Sequence, residues 1–125
     1  MSEKSEVQNP SLIMASQRPD TLIWRQQSGA FRSLDNPSRI VRVGTPGMAD
    51  AGAIVAVTIT PDMVGKTIGV ALQVEFKTKT GRQSTQQKNW QSAVAKHSGI
   101  YTIARSTTDL ESIIDSISSG QFFKP

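Results

Sequence analysis

Glu75, Phe76 and Lys77 place a carboxylate and an ammonium two residues apart. In a strand, successive side chains alternate between faces, so Glu75 and Lys77 share one face and Phe76 points the other way, into apolar packing. The pairing suits metal-dependent phosphodiester cleavage. The carboxylate binds a hard cation, and the lysine steadies the attacking water or the charge developing on phosphate. Edge strands also alternate Glu and Lys simply to stay soluble, so the surroundings decide what the triplet means. Upstream, Asp50 stands just before the apolar run 53–59. There it can be a turn residue accepting backbone amides. Downstream, Thr80-Gly81-Arg82 reads as a turn, and Ser84-x-x-Gln87 has the spacing of a capping box that opens a helix.

Cationic side chains are spread around these residues. Arg25, Arg32, Arg39 and Arg42 occupy the first half, and Lys79, Arg82 and Lys88 follow the triplet. They are ordinary surface charge or phosphate contacts, because guanidinium matches phosphate oxygens with two parallel hydrogen bonds. Arg25, Arg32, Arg42, Lys79, Arg82 and Lys88 form the phosphate-contact set expected here.

The elements that must position these groups can be read in order. A weak helix is expected around Leu12-Ile13-Met14, with Pro10 in its first turn and Glu6 as a first-turn acid favourable to the helix dipole. Pro19-Asp20 ends it. Leu22 to Arg25 reads as a short strand, 34–38 as a loop around Asp35-Asn36-Pro37, and Arg39 to Val43 as an alternating strand. Gly44 to Asp50 is a turn, 53–59 a buried strand, and 60–66 a loop with one helical turn closed by glycine. Ile68 to Lys77 is expected to be a longer strand whose core face is Val70, Leu72, Val74 and Phe76. A helix over 84–97 would bury Trp90 and Val94, and a buried strand follows over 100–104. Ser106 or Thr107 then caps a last helix carrying Leu110, Ile113, Ile114 and Ile117. Phe122-Phe123 is a tail on the core or a subunit contact.

The order of elements implies an α/β layout, a small mixed sheet flanked by helices. The 125 residues suit one domain, with a core about 6–117 and tails 1–5 and 118–125. A formal charge of +4 and a pI of about 9.8 favour a polyanionic partner. The absence of cysteine excludes disulfides, thiolate metal sites and a cysteine nucleophile, and is compatible with a reducing cytosol. With His97 the sole histidine, a zinc site is disfavoured, as is a serine–histidine hydrolase without a Gly-x-Ser-x-Gly turn. Gly65-Lys66-Thr67 lacks the upstream glycine of a phosphate-binding loop, so no nucleotide cofactor is expected. No apolar run reaches membrane-spanning length and no signal peptide is recognisable, so a soluble cytoplasmic protein is expected.

Taken together, Gly-Thr-Pro-Gly-Met-Ala-Asp50, Val-Glu75-Phe-Lys77, Thr-Gly81-Arg-Gln-Ser84-x-x-Gln87 and Ser98-Gly99-Ile-Tyr resemble the virus-type replication-repair nuclease (VRR-NUC) domain. That family lies in the restriction-endonuclease-like superfamily, whose loose signature is an Asp followed by Asp/Glu-x-Lys. The resemblance runs from about Glu6 to about Ile114. It implies a restriction-endonuclease-like core and a magnesium- or manganese-dependent DNA endonuclease of phages and bacteria. The family further implies a homodimer acting on branched DNA, including four-way junctions. By position, Asp50, Glu75 and the Phe76 carbonyl would hold the metal, with Glu6 a less secure fourth donor. Lys77 would position the attacking water, and Gln87 would reach the site from its helix. The chain departs from the pattern after Asp50, where Ala51-Gly52 replaces an aliphatic residue, and Asp62 in Pro61-Asp62 is a rival acid. A non-catalytic DNA-binding module that keeps the fold is the alternative reading.

Overall fold

Strands form where a partner offers a ladder, and in this chain the ladders are short. The computed structural model describes residues 2–27 and 29–125. A π-helical turn, Lys4–Gln8, leads into α1 (Asn9–Ser16), with proline in its first turn. Then come β1 (Thr21–Arg25), β2 (Gly29–Arg32), β3 (Ile40–Val43) and β4 (Ala51–Val55), and a 3-10 turn at Pro61–Met63. β5 (Leu72–Phe76), α2 (Thr85–Lys96), β6 (Ile100–Ala104) and α3 (Thr107–Ser118) complete the order, before a last 3-10 turn at Gln121–Phe123. The protein is thus a small mixed α/β chain. Among the described residues its strands make three two-stranded sheets, β1–β4, β2–β3 and β5–β6, where one mixed sheet was expected.

The chain divides into two compact units, Met1–Ala53 and Ile54–Pro125. In the first, α1 packs on β1, with Ala15 and Thr21 buried. β4 begins beside β1, where the Gln26 N–H donates to the Asp50 carbonyl at 2.8 Å. Gly52 is needed there, since a Cβ would lie 2.9 Å from the Trp24 ring. β2 and β3 form an antiparallel hairpin in the register Gly29↔Val43 to Arg32↔Ile40. Cross-strand partners share a face. Phe31, Val41 and Val43 therefore lie on one side of the hairpin and Arg32, Ile40 and Arg42 on the other, and all are exposed. Leu34 in its loop is 100% exposed.

The second unit is built on a β-α-β crossover. β5 and β6 run parallel, in register from Leu72↔Ile100 to Phe76↔Ala104, and such a pair requires a long connection, here supplied by α2. Ser84 opens α2 with the expected capping box: its hydroxyl accepts from the Gln87 N–H, and the Gln87 side chain accepts from the Ser84 N–H. Val94, on the inward stripe, is 0% exposed. The chain leaves α2 through Ser98 at φ 67° and enters β6 at Gly99. A Cβ on Gly99 would sit 2.7 Å from Ile54 Cδ1 and 2.9 Å from Val94 Cγ1, so only glycine lets strand and helix approach this closely. Ser106 caps α3, accepting from the Asp109 N–H, while the Asp109 carboxylate accepts from the Arg105 N–H. Both α2 and α3 pack on β6.

Three expectations are corrected. β5 starts at Leu72 rather than Ile68 because its partner starts at Ile100; Ile68 and Val70 precede the ladder and are exposed. The apolar run 53–59 yields a strand only to Val55, with Ile54 its one buried residue, while Val55, Val57 and Ile59 face outward. Phe76 is 68% exposed rather than in the core, since β5 ends there and the end of its even-numbered face lies open. Among the described residues, no helix is long and apolar enough to cross a membrane.

Candidate functional site

The parallel register puts Gln73, Glu75, Tyr101 and Ile103 on one face of the β5–β6 pair. Side chains from α2 meet that face. Gln87 Nε2 donates to Glu75 Oε2 at 3.0 Å, and Trp90 Nε1 donates to Gln73 Oε1 at 3.3 Å. The Tyr101 hydroxyl donates to Glu75 Oε1 at 3.2 Å and faces Gln83 Nε2 at 3.4 Å, which in turn donates to Gln91 Oε1 at 2.9 Å. Lys77 Nζ stands 3.7 Å from Glu75 Oε2, with both side chains only about one fifth exposed (20% and 22%). Glu75 is therefore the centre of the cluster, with a donor on each oxygen and a cation beside one of them.

Gln87 serves two structures at once. Its Oε1 accepts from the Ser84 N–H and completes the helix cap, which aims its Nε2 at Glu75. The capping reading of this residue is met, and its side chain also reaches Glu75. A second brace holds the turn after Lys77. Arg105 Nη1 donates to the carbonyls of Thr78 and Gly81 at 2.6 and 2.8 Å, with that of Lys79 at 3.3 Å. The Lys77 N–H donates to the Ala104 carbonyl. The ends of both strands are thus tied to the turn that leads into α2.

Comparison with family models, with curated proteins and with solved structures gave no significant match.

The structure brings together Glu75, Lys77 and Gln87 in the second unit, with Phe76 at the end of the same strand. Lys79, Arg82 and Lys88 are exposed there, on the turn and the first turn of α2. Asp50 and Glu6 belong to the first unit: Asp50 is exposed ahead of β4, and Glu6 is exposed in the π-helical turn. Arg25 Nη2 donates to Asn9 Oδ1 at 2.6 Å, and Arg32 Nη1 donates to the Pro37 carbonyl at 3.0 Å, bracing the hairpin loop; Arg42 lies on the same hairpin face as Arg32. Asp62 sits in the 3-10 turn between β4 and β5. Tyr101, Gln83 and Arg105 were not anticipated. A tyrosine within an otherwise apolar strand was the available signal, because a half-buried phenol needs a partner for its hydroxyl.

The donor set suits a hard cation. Each Glu75 oxygen has one hydrogen-bond donor within 3.2 Å and can offer another lone pair. Magnesium binds with one or two carboxylates, waters and substrate phosphate, so this set fits it. Among the described residues, no three His, Cys, Asp or Glu side chains converge as a ready-made metal cage.

Proposed function

We propose that the chain is a magnesium- or manganese-dependent endonuclease that hydrolyses phosphodiester bonds in DNA, selective for branched substrates such as four-way junctions. The supporting observation is the convergence of Lys77 and Gln87 on the Glu75 carboxylate, at the carboxyl end of a parallel strand pair. Ligand sites of open α/β sheets gather at such strand ends. Glu75 and the Phe76 carbonyl would hold the cation, with Asp50 and Glu6 added by the resemblance. The bound cation would supply Lewis acidity toward the scissile phosphate. Gln87 and Tyr101 fix the carboxylate rotamer, so that Glu75 is preorganised. The Lys77 ammonium orients a water by hydrogen bonding and offsets negative charge developing on phosphate. Arg25, Arg32, Arg42, Lys79, Arg82 and Lys88 would contact the DNA backbone. A restriction-endonuclease-like core and a homodimer belong to the same proposal, since a two-fold pair of sites matches the symmetry of a four-way junction.

One observation favours a non-catalytic DNA-binding module instead: the carboxylate already sits in a hydrogen-bond network that runs through Tyr101 to Gln83 and Gln91. Cleavage of labelled linear, flapped, splayed and four-way DNA with magnesium or manganese separates the two. Lys77→Ala is expected to remove most cleavage with little change in thermal midpoint, because a partly exposed ion pair contributes at most about 1 kcal/mol. A Lys77→Ala variant that cuts at the parent rate would refute the nuclease mechanism.

A further inference from the structure

The exposed Phe76 ring belongs to a feature distinct from the Glu75 cluster. On the other face of β5, an open recess of about 430 Å³ is lined by Phe76, Lys77, Thr78, Ala104, Arg105, Ser106, Thr107 and Leu110. Small-ligand sites span roughly 300–1,000 Å³, so the recess is large enough to hold a planar ring. Its floor and walls come from the carboxyl ends of both parallel strands and from the capped start of α3. An aromatic ring and a leucine supply the apolar surface, and Lys77 and Arg105 stand at its margin. Arg105 also pins the turn that forms one side, so the wall is braced.

We propose that this recess receives an unpaired nucleobase of the DNA, stacked on Phe76. The inference rests on the DNA-binding reading above and deepens it by naming what would make a branched substrate preferable to a duplex. Two observations carry it. A strand-end phenylalanine left two-thirds exposed beside cationic residues suits a base, because every base offers a π-face and its strand carries the polyanionic backbone. Lys77 lines the recess and also stands 3.7 Å from Glu75, so the recess and the carboxylate cluster share this residue at one strand end. A strand crossing that end would meet Glu75 on one side and Phe76 on the other, where a nucleotide free to leave its stack can lay its base on the ring.

The test uses the full chain with calcium in place of magnesium, and duplexes carrying 2-aminopurine either paired or as a single unpaired base. Paired 2-aminopurine is already dimmed by its stacked neighbours, so binding of the parent protein is expected to change the emission of the unpaired probe and leave the dim paired probe unchanged. Alanine scans of stacked aromatics correspond to losses of roughly 5- to 150-fold per base. Phe76→Leu, which keeps apolar bulk without the π-face, should therefore lower the unpaired-to-paired affinity ratio about tenfold, and Phe76→Trp should restore it. An unchanged ratio in Phe76→Leu overturns the stacking site while leaving the nuclease reading intact. A parent protein that binds no DNA overturns both. A change in sedimentation mass on Phe76→Leu assigns the recess to a protein contact and also overturns the proposal.

Discussion

Gln87 links a helix cap to a carboxylate, and that link predicts a pH-dependent stability. In Gln87→Ala both bonds vanish. The lost cap bond costs about 0.5–1 kcal/mol. The lost donor to Glu75 costs about 1.5 kcal/mol, the low end for a charged partner because the carboxylate is partly exposed. The sum lowers the thermal midpoint by roughly 5–10 °C. Gln87→Glu is the sharper test. It keeps an oxygen to accept from Ser84 but replaces the N–H 3.0 Å from Glu75 Oε2 with a second carboxylate. Two carboxylates whose charge centres lie about 4 Å apart repel by about 4 kcal/mol at an effective dielectric near 20. Lys77 at 3.7 Å offsets part of this, and the helix dipole returns about 0.5 kcal/mol, leaving a loss of about 2–3 kcal/mol at pH 8. The folded pair retains a proton more readily than the unfolded chain does. Stability therefore falls as pH rises, with the penalty complete at pH 8 and relieved near pH 4. Urea unfolding at pH 4 and pH 8 measures it, and Glu75→Gln in the Gln87→Glu background should restore stability at pH 8. A Gln87→Glu protein as stable as the parent at pH 8, or equally weakened at both values, would refute the coupling.

Three further outcomes can be checked. Gly99→Ala should destabilise by about 1–3 kcal/mol through overpacking, with partial rescue by Ile54→Val, read from urea midpoints. Arg18 donates twice to Asp20, at 3.0 and 2.8 Å, and holds its carboxyl well below the usual range, at about 2. The Asp20 carboxyl carbon should titrate near that value by NMR and return toward 3.8 in Arg18→Ala, and any stabilisation from the pair is present above 3.8 and lost as pH falls through 2. Asp50→Asn should abolish metal-dependent cleavage and Asp62→Asn should not; the opposite result in a nicking assay would move the acid to the 60–66 loop.

The helices of the second unit were legible because their signals are local. Ser84 with Gln87 and Ser106 with Asp109 fix helix starts by bonds between residues three apart, and the spacing of Leu110, Ile113 and Ile117 gives a half-buried stripe. Strand lengths were not legible, because a ladder ends where either partner ends: Ser98 and Gly99 delay β6 and so shorten β5. Alternation in 72–76 correctly separated Glu75 from Phe76, but it names residues that share a face without saying what covers it, and the end of the Phe76 face stays open. Gly29–Arg32 carried no alternation of its own, and its pairing with β3 depends on a register visible only across the hairpin. In the Glu75 cluster, the acid and the lysine were readable from their spacing, whereas spacing gave Gln87 only as a helix cap and its reach to Glu75 came from the resemblance. Tyr101 was not readable, because its reach to Glu75 follows from the Gln73↔Tyr101 register.

The parallel pairing of β5 and β6 also sets a timetable. Tyr101 and Glu75 are 26 residues apart, and Gln87 lies 12 residues from Glu75, so local helix formation supplies only part of the cluster. Closing the rest means bringing β6 back across the whole of α2, and parallel, non-local pairing of this kind is among the slower folding events. As the chain leaves the ribosome, α2 can form while Glu75 still has no tyrosine and the turn after Lys77 has no arginine. Nascent chains therefore lack the assembled cluster until residues 100–105 have emerged and docked, and truncations ending before Ile100 should retain helical signal while lacking the braced carboxylate altogether.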